Sequence, residues 1–278
     1  MTKTCPECGA EFETNRNARV YCGRRCSNAV TARNRENGKL DGPVTTVWSC
    51  GGGVQSTAIA ALIVSGKLSK PDYAMMTDCG YEQQATMQYV RRVLIPELQA
   101  VGVTLHILDT LNWSNNDIID STGHITIPAY KRMPDGKCAK LRTHCNEAWK
   151  VKPLKRWIRS LGIERCENWI GISTDEARRQ RPSAKRWLTH RYPLIEMGMS
   201  REDCLWSVCS LGWPKPAHSS CVFCPQRDSA GWATMKREAP EDWQRAIAMD
   251  EALRKHDPDV YLHRSMTPLA GVSFKGEG

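Results

Sequence analysis

Ser49-Cys-Gly-Gly-Gly-Val-Gln-Ser56 decides how this chain is read. Pro43-Val-Thr-Thr-Val-Trp48 ahead of it is rich in β-formers, and Thr57-Ala-Ile-Ala-Ala-Leu-Ile-Val64 behind it has the apolar density of a buried helix. A strand, a glycine bend and a helix in that order make a cradle for phosphate. Gly51, Gly52 and Gly53 let the main chain approach an anion closely, and the helix start adds unpaired N–H groups and a positive dipole end. The bend lacks the lysine of a Walker A loop and the G-x-G-x-x-G spacing of a dinucleotide site. A glycine-rich turn without a ligand is the alternative, so the rest of the chain has to decide.

Outward from the bend, Asp72-Tyr-Ala-Met-Met-Thr77 reads as a second strand ending in Asp78-Cys-Gly80, and a helix follows from about 84 to 99, bent or ended near Pro96. Val103-Thr-Leu-His-Ile-Leu108 reads as a third strand and Asn168-Trp-Ile-Gly-Ile-Ser173 as a fourth. Strands alternating with helices predict an α/β fold with a Rossmann-like parallel sheet, whose ligands sit at the carboxyl ends of the strands. Ser49, Asp78 and Ser173 all fall at such ends, which favours the phosphate reading of the bend.

The chain has 278 residues, enough for one sizeable domain plus an appendage, and no stretch approaches the length of a membrane span. Met1-Thr-Lys-Thr-Cys5 has no apolar signal core, so a cytoplasmic protein is expected. The net charge of +9 favours polyanionic partners, with ordinary solubility as the alternative. Basic residues crowd between Lys131 and Arg159 and again between Arg178 and Arg191, with few acids interleaved. That favours a surface facing the phosphates of DNA or RNA.

Thirteen cysteines in a chain expected to stay reduced point to metal or chemistry rather than disulfides. Cys5-Pro-Glu-Cys8 and Cys22-Gly-Arg-Arg-Cys26 offer four thiolates at zinc-finger spacing, a structural Zn²⁺ site for a module of residues 1–40 too small to fold by burial alone. A redox pair is the rival reading. The short basic helix expected after Cys26, with Arg16, Arg19, Arg24 and Arg25, suits docking to nucleic acid, and a structural cap is the alternative. Asn37-Gly-Lys-Leu-Asp-Gly42 reads as a linker, dividing the module from a nucleotide-binding domain at 43–198 and a helical, Cys-rich region at 199–278.

Taken in order, these pieces resemble the PP-loop adenine-nucleotide hydrolase-like superfamily (HUP-like). Within it they resemble the phosphoadenosine phosphosulfate (PAPS) reductase-like proteins often encoded by phages. The resemblance rests on the glycine bend, Thr77-Asp-Cys-Gly-Tyr-Glu82, Cys145-Asn-Glu-Ala-Trp-Lys-Val-Lys-Pro153 and Gly171-Ile-Ser-Thr-Asp-Glu176 with Arg179. It continues through Arg191-Tyr-Pro-Leu-Ile-Glu196, Ser219-Ser-Cys-Val-Phe-Cys-Pro225 and Tyr261-Leu-His-Arg-Ser265. It implies that Ser49, Gly51, Gly52, Gly53, Gln55 and Ser56 hold a phosphate of ATP or a PAPS-like nucleotide. Asp78 and Gly80 would border the nucleotide or its metal, and Gly171, Ile172 and Ser173 the adenosine. Lys150, Lys152 and Arg179 would bind anions. Asp175 and Glu176 would be Mg²⁺ ligands or acid/base groups, a helix-start acidic pair being the alternative. His263 is a candidate acid/base, with structural hydrogen bonding as its alternative.

Cys221-Val-Phe-Cys224-Pro225 is a metal-type knuckle, and Cys-Pro often ends iron–sulfur ligand runs. Cys145, Cys204, Cys221 and Cys224 are therefore the expected ligands of a 4Fe–4S cluster, with a second Zn²⁺ or free buried thiols as alternatives. Cys50 and Cys79 fall beside the expected nucleotide and are read as small packing residues, with a reactive thiol at either as the alternative. The resulting expectation is a nucleotide-dependent enzyme of sulfur transfer to nucleic acid, served by a sulfur or electron donor protein. Val54-Gln55-Ser56 departs from the Lys-Asp-Ser of pyrophosphate-releasing members, which brings in sulfonucleotide reduction. The tail from Leu262 to Gly271 lacks the reductases' nucleophilic cysteine. A nucleotide- or nucleic-acid-binding protein without turnover is the third reading.

Overall fold

The computed structural model describes residues 2–14, 22–23, 25–26, 43–110, 117–142 and 145–274. At its start Thr2–Thr4 (β1) and Glu11–Glu13 (β2) pair antiparallel, with Lys3 opposite Phe12. Between them the Gly9 N–H donates to the Cys5 carbonyl at 2.9 Å, a turn closed by Gly9 at φ +72°. The expected basic helix beyond Cys26, Arg16, Arg19 and Arg24, and the linker at 37–42 lie outside the described residues.

Thr45–Cys50 (β3), Tyr73–Asp78 (β4) and Leu105–Asp109 (β5) are joined, after a hairpin of Tyr130–Arg132 (β6) and Cys138–Lys140 (β7), by Cys166–Ile170 (β8) and Leu188–Arg191 (β9). The strand order is β5-β4-β3-β8-β9 and every pairing is parallel, as the alternating pattern predicts. The strand order reverses about β3: β4 lies on one side of it and β8 on the other. The predicted fourth strand ends early, because the Ile172 N–H turns back to the Ile170 carbonyl at 3.0 Å. The edge strand β9 was not anticipated; its Thr189-His190-Arg191 is too polar to announce a strand.

The period-two rule sorts the sheet's side chains. Trp48 and Met76 face one layer and Val47 and Met75 the other, each within its own apolar cluster. Val54–Val64 (α1) lies in the first layer, buried nearly all round between the sheet and a later helix, Arg201–Cys209 (named α6 below). Gln84–Tyr89 (α2) and Ile95–Ala100 (α3) also pack there, while Lys152–Ser160 (α4) covers the opposite face through Leu154 and Ile158. A π-helical turn, Val90–Leu94, joins α2 to α3, and another, Glu147–Val151, precedes α4. Each is followed within two residues by a proline, Pro96 or Pro153. A proline ring collides with the carbonyl four residues earlier and has no N–H to give it, and the wider turn absorbs that conflict without ending the helix.

Pro193–Glu196 (α5) leads into α6. Ser229–Glu238 (α7), Pro240–His256 (α8) and Val260–Tyr261 (β10) complete the chain, β10 pairing with β6. A second core forms here around Trp232, Trp243, Phe223 and Phe274, and it takes in Ile118, Ile127 and Trp149 from the middle of the sequence. No helix among the described residues is long and apolar enough to cross a membrane.

Candidate functional site

Where β3 and β8 diverge, a cavity of about 460 Å³ opens at the carboxyl end of the sheet. That volume suits a nucleoside-sized ligand, and the position is the crevice where open parallel sheets bind ligands. Ser49, Gly51, Gly53, Gln55 and Ser56 form one wall, and Asn168 and Gly171 another. Across the floor the Ser49 hydroxyl donates to Asn168 Oδ1 at 2.6 Å. Gly53 caps α1 in extended conformation with no side chain satisfying the first-turn amides, so those donors are left for a ligand. The Gly51 N–H is already given to Ser56 Oγ at 2.9 Å.

Two glycines are required by geometry. Gly52 sits at φ +69°, and a Cβ there would lie 2.7 Å from Thr86 Cγ2. A Cβ on Gly171 would stand 3.1 Å from the Ser56 nitrogen and 3.2 Å from the Gln55 carbonyl carbon. The bend and the end of β8 are therefore in backbone contact.

Positive charge reaches this cavity from Lys150, Lys155 and Arg179. Lys152, expected to share that role, is exposed and lines no part of it; Lys155, one helical turn on, takes the place. A smaller cavity of about 160 Å³ continues past Gly53 to Arg201 and His218, with Glu176, Arg179 and Ser219 common to both. Gln55 is pinned between them. Its Nε2 donates to Glu176 Oε2 at 3.3 Å and Ser173 Oγ at 3.4 Å, and its Oε1 accepts from Arg201 at 3.2 Å. Glu176 also pairs with Arg179 at 2.6 Å.

Other expected residues stand elsewhere. Asp175 accepts the backbone N–H of Arg201 and so anchors the start of α6, while Asp78 holds the Gly80 N–H at 2.8 Å. Neither lines the two cavities, and Asp78, Asp175 and Glu176 do not gather into a cation site. Ile172 and Ser173 are buried behind the bend. His263 belongs to the second core, edge-on to Phe274 and hydrogen-bonded to Ser265 Oγ at 2.7 Å. Burial, then the Arg264 charge, holds its pKa below the ordinary histidine value. It lines neither of the two cavities, so the structure does not bring this expected acid/base group to the glycine bend.

The four amino-terminal thiols lie within 4.8 Å of one another, with Cys8 and Cys22 sulfurs at 3.5 Å and Cys22 and Cys26 at 3.6 Å. A Zn–S bond of about 2.3 Å gives a tetrahedron with edges of about 3.8 Å, so the donor set fits one Zn²⁺. The Cys22 backbone N–H, with those of Cys8 and Glu7, draws the Cys5 thiol down to about 6, a ready first thiolate.

The second group differs from expectation. Cys204 is fully buried in α6, among the side chains that pack α1, and burial pushes its thiol up to about 12. Cys145 and Cys221 instead border the second core together with Cys79. Cys79 Sγ stands 3.8 Å from Cys221 Sγ, and these two with Glu82 form the other metal-compatible group among the described residues. What joins them is an isolated bridge between Glu82 and Cys221, secured by the Val222 N–H on the Tyr81 carbonyl at 2.8 Å. The Lys150 ammonium pairs with Glu82 Oε1 and also lines the large cavity, so one side chain touches both centres. Burial alone would lower the Lys150 pKa, yet Glu82 and the two thiols hold it above the ordinary lysine value.

Several cations that look unmatched in sequence find acids far along the chain, Lys131 with Asp257 at 2.5 Å and Lys150 with Glu82. The basic surplus is thus less available than the linear pattern suggests.

No protein-family model and no curated protein matches the chain. Among solved structures it is similar to the U34-tRNA thiolase NcsA from Methanococcus maripaludis with its 4Fe-4S cluster, at 14% identity and a TM-score of 0.43, over 100% of this chain and 92% of that one. It is also similar to the phosphoadenylyl-sulfate (PAPS) reductase from Candida auris in its phosphate complex, at 12% identity and a TM-score of 0.38, over 69% and 89% of the two chains. At such values neither likeness decides the reaction.

Proposed function

We propose that this chain is a PP-loop enzyme that binds an adenine nucleotide at the glycine bend and uses it to modify nucleic acid by sulfur transfer. The observation that carries the reading is the uncapped start of α1, set at the switch point of a parallel sheet beside a nucleoside-sized cavity with Lys150, Lys155 and Arg179 around it. Loop amides and these cations would take the charge of the phosphates. An oxygen of the nucleic-acid base would attack the α-phosphate as the bond to pyrophosphate breaks, and a sulfur nucleophile would then displace AMP. Gln55, held by Glu176 and Arg201, would order the helix start, and Arg179 would meet the departing anion. Magnesium would accompany ATP on its phosphates. Zinc suits the four amino-terminal thiols, and the basic residues of that module supply a reason for nucleic acid as substrate.

Incubation of the purified chain with ATP, a sulfide source and RNA or DNA tests this. Nucleic-acid-stimulated release of pyrophosphate supports the reading, and ATP binding without any release overturns it. Sulfonucleotide reduction is the second reading, favoured by Val54-Gln55-Ser56 at the bend, and sulfite released from PAPS with a thiol donor would establish it. Against it, Cys50, the cysteine lining the large cavity, is pushed up to about 12 by burial and is a poor nucleophile.

A further inference from the structure

The ligand set expected for an iron–sulfur cluster does not assemble, because Cys204 lies in the packing of α6 on α1 while Cys145 and Cys221 border the other core. A four-iron cube binds each thiolate to a different iron, which sets its ligands farther apart than those of a single ion. Cys79 and Cys221 sulfurs are 3.8 Å apart, the edge of about 3.8 Å expected around one zinc-type ion. Glu82 completes a triangle with them, all three ligand atoms within 4.8 Å of one another.

Glu82 is the telling residue. Its side chain is 1% exposed, and while Oε1 is held by Lys150, Oε2 has no hydrogen-bond partner. A buried carboxylate oxygen without a partner is costly and calls for a cation. The Cys79 thiol approaches Glu82 Oε1 at 3.9 Å, so carboxylate and thiols already face one another. Neither the zinc-finger spacing nor the Cys-x-x-Cys knuckle announces this group, since Cys79 and Cys221 are 142 positions apart.

We propose that Cys79, Glu82 and Cys221 hold a single tetrahedral divalent cation of the zinc class, a mixed thiolate–carboxylate site separate from the amino-terminal one. Three protein ligands leave the ion one open position, which is the form of a catalytic rather than a structural zinc site. Binding displaces the thiol protons and takes one oxygen of the Glu82 carboxylate, which the Lys150 ammonium orients.

The test uses the full chain purified without oxygen from medium containing both zinc and iron. Metal analysis is expected to find about two zinc equivalents per chain, falling to about one in Cys79→Ser and in Glu82→Gln and staying at about two in Cys204→Ala. Because Cys79 is buried and its variant can misfold, Glu82→Gln, nearly identical in shape, serves as the second variant, and circular dichroism verifies folding. Cobalt substituted into the wild type is expected to show sulfur-to-metal charge-transfer absorption from both sites, reduced in Glu82→Gln. About four irons with matching sulfide, or metal content unchanged in folded Cys79→Ser and Glu82→Gln, would overturn the assignment. Binding of ATP is titrated on the same samples, so failure of this site and failure of the nucleotide reading are separately visible.

Discussion

Gly52 and Gly171 carry the site at the level of single atoms. Gly52→Ala places a methyl group at positive φ and 2.7 Å from Thr86, and should cost about 1–3 kcal/mol in thermal or urea unfolding. Gly171→Ala meets the backbone of Gln55 and Ser56 rather than a side chain that can swing away. Its main effect should be on the start of α1: a loss of roughly tenfold in ATP affinity by calorimetry, about 1.4 kcal/mol, with a smaller change in stability. His263 offers a test by pH. Its folded pKa is depressed by burial, so below about 6.5 the unfolded chain takes up a proton that the folded one resists. Stability should therefore fall as pH drops from about 6.5 toward the folded pKa and then level off. His263→Gln should remove that component from the unfolding profile without touching ATP binding. At this scale the bend, Ser49, Gln55 and the first four cysteines were legible in sequence, because neighbours in the chain are neighbours in space. Cys79 was not. Cys204 stands much nearer Cys221 along the chain, and it is tertiary contacts, the bridge between Glu82 and Cys221 among them, that bring the end of β4 to the knuckle.

At the level of elements, the strand–bend–helix unit and the following strands declare themselves by apolar runs of strand and helix length. The α6 helix is equally plain. Ser200 accepts the Asp203 N–H while Asp203 accepts the Ser200 N–H, a reciprocal cap readable from Ser200-Arg-Glu-Asp203. Ser200→Ala should cost about 1 kcal/mol in unfolding and leave metal content unchanged. Harder to read were the two π turns, which let Pro96 and Pro153 lie inside helices that proline would be expected to end. The turn at Glu147–Val151 holds Lys150, whose ammonium reaches Glu82. Lys152, just past that turn, points to solvent, which explains why motif spacing alone misassigned it.

For the whole molecule, the parallel sheet follows from the alternation of elements, but the composition of the cores does not. Residues 118–129 and Trp149 join the carboxyl-terminal aromatic core, and α6 packs on α1 in the first layer, so packing cuts across chain order. Net charge misleads at this scale too. Lys131, Lys155 and Arg191 are paired with Asp257, Glu147 and Glu196. Nucleic-acid affinity should therefore fall with salt along a slope smaller than the count of basic residues would give, since only cations that neutralise phosphates release counterions. Filter binding across a salt series measures that slope.

Ser219 donates its hydroxyl to the Gly51 carbonyl, and the Gln83 amide grips the His218 carbonyl at 2.8 Å and the Ser220 hydroxyl at 3.1 Å. One short strap of chain is thus fastened at one end to the glycine bend and at the other runs into Cys221. Whatever free energy this fastening transmits must act in both directions by the same factor. If loading the thiols tightens ATP, then ATP must slow the escape of metal, and a chain stripped of one ligand will report the loss at the other.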